Sequence, residues 1–200
     1  MYKPHIDLSH AYWKKIVKPC DHVIDATCGN GHDTLFLAEL LFGDNSTGQE
    51  NQGSLIAIDK QASALESCQR RLKGELPEEV LQKITYYQQC HSIFPASIEK
   101  GSVKLIVYNL GYLPGSDKTL TTLSDSTCQS ITNALPLICQ GGCISITCYP
   151  GTAAGKLEEE AVLTLASGIP KLQWSCCHHR WLNREHSPSL LIISRLSAEI

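Results

Sequence analysis

The sequence predicts an α/β domain: a mostly parallel seven-stranded sheet, closed by an antiparallel hairpin and covered by helices on both faces. Two observations predict it. Short apolar runs alternate with longer stretches of helical period through residue 170, the pattern of strands crossing over through helices. The last two apolar runs have no helical stretch between them, so they pair directly as a hairpin.

Taken in order, residues 22–26 (HVIDA) form a buried strand and 33–42 (DTLFLAELLF) a helix after a glycine turn. Residues 43–53 are polar and contain glycine, which marks a loop. A strand at 54–58 (SLIAI) precedes a helix at 60–73, whose apolar positions are Ala62, Leu65, Cys68 and Leu72. A third strand fits 83–88 (KITYYQ), with a short helix before Lys100, and 103–108 (VKLIVY) is a clear fourth strand. After a loop at 109–121, a helix carries Cys128, Ile131, Leu135 and Ile138 and ends at Gly141-Gly142. The fifth strand is 143–149, a helix covers 155–167, and 171–177 with 189–195 make the hairpin. With no repeat, low-complexity segment or linker, residues 1–200 read as a single domain.

Composition narrows the function classes. The chain is 42% hydrophobic and 18% charged, values of an ordinary globular protein. No apolar run approaches the roughly 20 residues that span a bilayer, and MYKPHIDLSH lacks an apolar signal core, so a cytoplasmic location is expected. A net charge of −3 permits a nucleic-acid partner without arguing for one; the basic clusters are Lys14/Lys15/Lys18, Arg70/Arg71/Lys73 and His178-His179-Arg180. Ten cysteines with no C-x-x-C pair give poor support to zinc, so no metal and mostly buried, reduced thiols are expected.

The stretch Asp25-Ala26-Thr27-Cys28-Gly29-Asn30-Gly31 leaves a strand and enters a helix, where open α/β sheets bind ligands. Gly29-x-Gly31 lacks the third glycine of a dinucleotide fingerprint, since Thr34 stands there. Asp25 would repel a pyrophosphate and hold a sulfonium that carries an amino group. The expected cofactor is therefore S-adenosylmethionine, with a nicotinamide oxidoreductase or an ordinary aspartate-capped turn as alternatives. Asp59, ending the second strand, is placed to accept ribose hydroxyls. It lies 28 residues after Gly31, an interval lengthened by the polar loop. Gln61 is close enough to assist, and His91, just after the third strand, falls where an adenine would lie. A structural histidine is the other reading there.

The fourth strand delivers Asn109-Leu110-Gly111-Tyr112-Leu113-Pro114-Gly115-Ser116-Asp117-Lys118 beside the first strand, where the sheet order reverses. Methyl transfer to nitrogen needs a neutral amine aimed in line, which is positioning work. Asn109 suits that, or the orientation of the cofactor's methionine end. Gly111 and Gly115 allow close approach and Tyr112 can stack on a base. A turn-rich loop capped by Asp117 is the bland alternative.

Five strand–helix units ending in a hairpin make the plan of the Rossmann-like class I methyltransferases. DATCGNGHDTLFLA and NLGYLPGSDKTLTT resemble the two signature stretches of the MnmM-type tRNA wobble-uridine methyltransferases, a bacterial family earlier labelled rRNA methylases. Ser9-His10, CYPGTAAGKLEEEAV at 148–162 and Asn183 ahead of Ser187-Pro188 extend the likeness over nearly the whole chain. The resemblance implies methylation of 5-aminomethyl-2-thiouridine in the tRNA anticodon stem-loop. It implies that Asn30, Gly31, Asp33, Asp59, Gln61 and His91 serve the cofactor. Tyr112, Gly115 and Asp117 would face the acceptor, with Gly111, Pro114, Lys118 and Thr152 on the same side. It also suggests a homodimer. Where the family commonly has Gly-His, this chain has Gly151-Thr152. An rRNA, protein or small-amine acceptor, or a non-catalytic module on the same fold, are the other readings.

Overall fold

The computed structural model describes residues 4–43, 53–111 and 122–197. The elements are α1 (Pro4–Ile16), β1 (His22–Asp25), α2 (His32–Phe42), β2 (Ser54–Asp59), α3 (Ala62–Glu75), α4 (Glu78–Leu81), β3 (Ile84–Gln88), β4 (Val103–Asn109), α5 (Ser124–Ala134), β5 (Ile138–Cys148), α6 (Ala153–Ser167), β6 (Trp174–His179) and β7 (Ser189–Arg195). The sheet runs β3-β2-β1-β4-β5-β7-β6. Pairings from β3 to β5 are parallel, and β7 is antiparallel to both β5 and β6. The architecture is the predicted one, and its order reverses between β1 and β4.

Both faces of the central strands are buried, as their composition requires. Along β4, Leu105 and Val107 join one core with Trp13, Leu37, Leu41, Leu65 and Leu72, so α1, α2 and α3 cover that face. Ile106 and Tyr108 point the other way, into a core with Ile131, Ala134, Val162 and Ala166 of α5 and α6. Side chains alternate across a strand, so a central strand covered twice must be apolar throughout. Each fully buried Leu or Ile contributes about 1.5–3 kcal/mol relative to exposure.

The structure departs from these expectations in several places. The N-terminal helix α1 has no hydrophobic periodicity to mark it, because its buried stripe, His5, Ser9 and Trp13, is only one-third apolar. Its first residue, Pro4, suits a helix start, where the missing N–H is no loss. No helix forms between β3 and Lys100; that stretch turns through bonds such as Ile93 N–H to the Cys90 carbonyl. The helix expected to reach Ile138 stops at Ala134. A 3₁₀ turn at Leu135–Leu137, with Pro136 inside it, then leads into a longer β5. Gly141 and Gly142 do not stop a helix; they lie inside β5, where its register against β4 shifts between Val103 and Leu105. Gly141 has φ 68°, and a Cβ on Gly142 would stand 2.7 Å from the Lys104 carbonyl oxygen, so the bulge needs glycine at both places. Finally, the cysteines are not mostly buried: Cys28, Cys68, Cys143 and Cys148 are, while Cys20, Cys176 and Cys177 are exposed and the other three half-buried.

The hairpin also starts later than its apolar run suggested. The amides of Gln173 and Trp174 both donate to the Pro170 carbonyl, which holds 170–173 in a turn before β6.

Candidate active site

β1, β2 and β4 all end on one edge of the sheet, and the chain leaving each of them builds the site. After Asp25 the backbone is tied on both sides: the Ala26 amide donates to Val107 and the Cys28 amide to Ile58, each at 2.9 Å. The turn then passes through Gly29 (φ 51°) and Gly31 (φ 77°), both in the left-handed region that other residues avoid. Gly31 has a second constraint. A Cβ there would lie 2.8 Å from the Cys68 Cα, because α3 packs directly beneath the turn.

Asp25 is fully buried under this turn. Thr34 Oγ1 donates to its Oδ2 at 2.6 Å and the Thr27 amide to its Oδ1 at 3.2 Å. Burial pushes the carboxyl up to about 7, against these two bonds and with added repulsion from Asp33 and Asp59. Thr34 in turn accepts a weak bond from the Cys68 thiol at 3.6 Å. Asp59 braces the turn from β2. Its Oδ2 accepts from the Gly29 amide at 3.0 Å and its Oδ1 from the Gln61 amide at 2.9 Å. Burial raises its pKa, while the amide bonds lower it. Gln61 is the residue preceding α3, so its backbone is engaged with Asp59. The Asn30 carbonyl accepts from Arg71 Nε at 2.7 Å, which turns one member of a basic cluster inward onto the turn.

Asp33, in the first turn of α2, links two other elements. Its Oδ1 is 2.7 Å from His10 Nε2 on α1, and its Oδ2 accepts from Asn109 Nδ2 at 2.7 Å at the end of β4. The His10 ring lies flat on Phe36 at 3.8 Å between centroids. Asn109 is also fixed through its backbone amide, which donates to Thr27 Oγ1 at 2.7 Å. With its NH₂ committed to Asp33, the Asn109 side chain is left with its carbonyl oxygen as the available acceptor.

His91 is 8% exposed, edge-on to Tyr108 at 6.0 Å, with Nε2 3.4 Å from Thr127 Oγ1. Burial, with help from Lys60, lowers its pKa to about 4, so the ring is neutral at pH 7. Gly111 (φ 125°) donates its amide to Thr122 Oγ1 at 2.7 Å. Thr152 is exposed and caps α6 by accepting from the Gly155 amide at 3.1 Å. Tyr112, Pro114, Gly115, Asp117 and Lys118 lie outside the described residues.

The structure thus gathers Asp25, Gly29, Asn30, Gly31, Asp33, Asp59, Gln61 and Asn109 at one edge. His91 stands beside α5 and Thr152 at the start of α6. The roles of Thr27, Thr34, Arg71, Thr122 and Thr127 have no sequence signal, being polar residues whose partners are distant in the chain. His10 had one, the early Ser9-His10 pair, without a role. Among the described residues no three His, Cys, Asp or Glu side chains group as a metal site.

The edge carries three carboxylates, and among the described residues the hydrogen bonds to Asp25 come from Thr27 and Thr34 and not from a cation. Such a site suits a cationic ligand and opposes a pyrophosphate. The glycine turn allows close approach of a ligand and Asp59 sets a carboxylate beside it, so these residues are compatible with S-adenosylmethionine.

Comparisons with known proteins point the same way. The family model described as "Putative rRNA methylase" matches residues 55–195. A curated relative from Arabidopsis thaliana, the chloroplastic tRNA (mnm(5)s(2)U34)-methyltransferase, is 35% identical over 192 residues, 96% of this chain and 69% of that protein. A structure from Clostridium thermocellum described as a "putative rRNA-methylase" superposes with a TM-score of 0.87 at 30% identity, covering 98% of this chain and all of the other. A "putative methyltransferase" from Streptococcus mutans in complex with SAH gives 0.81 at 26% identity, with the same coverage.

Proposed function

The chain belongs to the "Putative rRNA methylase" family, and from that premise we propose that it methylates the 5-aminomethyl group of 5-aminomethyl-2-thiouridine at the tRNA wobble position. It is an S-adenosylmethionine-dependent methyltransferase; the bound cofactor supplies an activated methyl group. The Arabidopsis relative, named for the same position of tRNA, supports the acceptor. The observation that carries the reading is the 2.7 Å bond from Asn109 Nδ2 to Asp33, which leaves the side-chain carbonyl oxygen as the acceptor where the sheet order reverses between β1 and β4. An exocyclic amine donates an N–H to that oxygen, and its lone pair is thereby aimed. Orientation of this kind is a large part of what an in-line displacement needs.

In this reading Asp25, Gly29, Asn30, Gly31 and Asp33 hold the methionine end of the cofactor, Asp59 and Gln61 the ribose, and neutral His91 the adenine side. Gly111, Tyr112, Pro114, Gly115, Asp117, Lys118 and Thr152 are assigned to the acceptor nucleoside. The anticodon stem-loop is the RNA partner, residues 1–200 act as one methyltransferase domain, and the family resemblance adds a homodimer. The reading uses no metal and places the reaction in the cytoplasm. No helix among the described residues is long and apolar enough to cross a membrane.

The test is to incubate purified protein and S-adenosylmethionine with tRNA lacking this methyl group, then analyse the nucleosides by mass spectrometry. Conversion of the aminomethyl to the methylaminomethyl form is expected. No conversion by protein that binds the cofactor would move the acceptor elsewhere, with the Thr152 substitution the first cause to examine.

Asp25 makes cofactor affinity pH-dependent. Burial pushes its carboxyl up to about 7, and a cation bound over the turn favours the ionised form. Affinity should therefore rise with pH through that value and level off above it, measured by calorimetry. Asp33 and Asp59 share the edge and add negative charge, so Asp25→Asn is the control; a slope that survives it would exclude Asp25 as the source. For folding the sign is opposite. With the folded pKa raised above 3.8, this contribution to stability is full at low pH and is lost as pH rises through about 7.

A further inference from the structure

Glu158, on the inner side of α6, is 3% exposed, and among the described residues its carboxylate meets two hydroxyls and no cation. Thr122 Oγ1 donates to its Oε2 and Thr127 Oγ1 to its Oε1, both at 2.7 Å. Burial raises its pKa, and these two bonds work against the shift. A buried carboxylate without a cation is unfavourable beside an apolar residue of similar size. Packing α6 against α5 therefore does not explain it.

The polarity of the bonds does. An ionised carboxylate only accepts, so it draws the protons of both threonines towards itself. The oxygen of Thr122 is then free to accept the Gly111 amide at 2.7 Å, while the Thr122 amide donates back to the Gly111 carbonyl at 3.1 Å. Gly111 is two residues beyond Asn109, and between them the Leu110 amide is tied to Thr147 of β5 at 2.9 Å. The other arm, Thr127, stands 3.4 Å from His91 Nε2. One side chain thus ties the chain leaving β4, where the acceptor amine is aligned, to the helix beside His91.

We propose that Glu158 is a positioning residue for the acceptor side of the site, acting through Thr122 on Gly111 and so on Asn109. This rests on the reading above for its catalytic consequence, but the clasp itself is measurable without turnover. Glu158→Gln keeps the size and removes the second acceptor oxygen, so one threonine proton loses its partner. Amide hydrogen exchange at Gly111 and Thr122 should quicken about tenfold, the loss of one neutral bond. Cofactor affinity should stay within about twofold and kcat/KM for the tRNA should fall about tenfold or more, by the same bond energy. The melting temperature should hold or rise, because a buried charge is gone. Thr122→Val breaks the clasp from its other side and should reproduce the exchange change.

Unchanged exchange at Gly111 in both variants would overturn the proposal. So would a fall in cofactor affinity as large as the fall in kcat/KM, which would mark Glu158 as a general packing residue. A wild-type protein that fails to convert the tRNA would instead count against the acceptor reading, and the exchange result would still decide the clasp.

Discussion

Asn109→Ala is expected to lower turnover on tRNA about 100-fold, the cost of losing alignment at the reacting atoms, while cofactor affinity changes far less. The residue is held at two points, its backbone amide on Thr27 and its side-chain NH₂ on Asp33, each at 2.7 Å. Such double anchoring is wasted on a surface asparagine but sets the direction of one carbonyl oxygen. Removing it leaves the amine without its guide, while Asp33 loses one partner but keeps His10 and the glycine turn keeps its bond to Asp59. Single-turnover kinetics beside calorimetry separate the two effects. Equal losses in turnover and affinity would move Asn109 from aligning the acceptor to holding the cofactor. Asn109→Asp is an informative companion. It would set a carboxylate against Asp33 at hydrogen-bond distance, so it should be worse than its small change in shape suggests.

Asp59→Ala is expected to weaken cofactor binding about 100-fold, since each hydrogen bond to a charged acceptor is worth about 1.5–3 kcal/mol. The same substitution frees the amides of Gly29 and Gln61, which now converge on the two carboxylate oxygens. The turn loses its brace as well as its ribose acceptor, and the two losses add in one direction. Affinity measured by calorimetry that moved less than threefold would remove Asp59 from the site. Asp59→Asn keeps one acceptor oxygen and should fall between the parent and the alanine variant. Its melting temperature separates damage to the turn from loss of contact with the ligand.

Much of the fold was legible in the chain because strand and helix signals are local. VKLIVY could only be a strand covered on both faces, and β4 is buried on both. Where the reading failed, the local signal was ambiguous. The stripe of α1 is His5, Ser9 and Trp13, which no hydrophobic periodicity reveals. Gly141-Gly142 after an apolar run reads as a helix stop, yet Pro136 had already ended the helical path and the glycines serve a bulge.

For the site, the sequence by itself determined which positions stand at the carboxyl ends of the strands. Asp25, Asp59 and Asn109 each follow an apolar run, and strand ends can be counted along a chain. It also gave the expectation of a cationic ligand, through a carboxylate set before the glycines. Only the tertiary structure decided how those groups are held. His10 meets Asp33 across 23 residues, Asn109 meets Asp33 across 76, and Thr122 meets Glu158 across 36. A hydrogen bond has no periodicity to betray it, and any of these polar residues alone reads as a solvated one. Their partners are chosen by the crossover of strands and the packing of α1 and α6 on the two faces of the sheet. That packing follows from burying apolar faces, so the polar contacts become known only once those faces are in place.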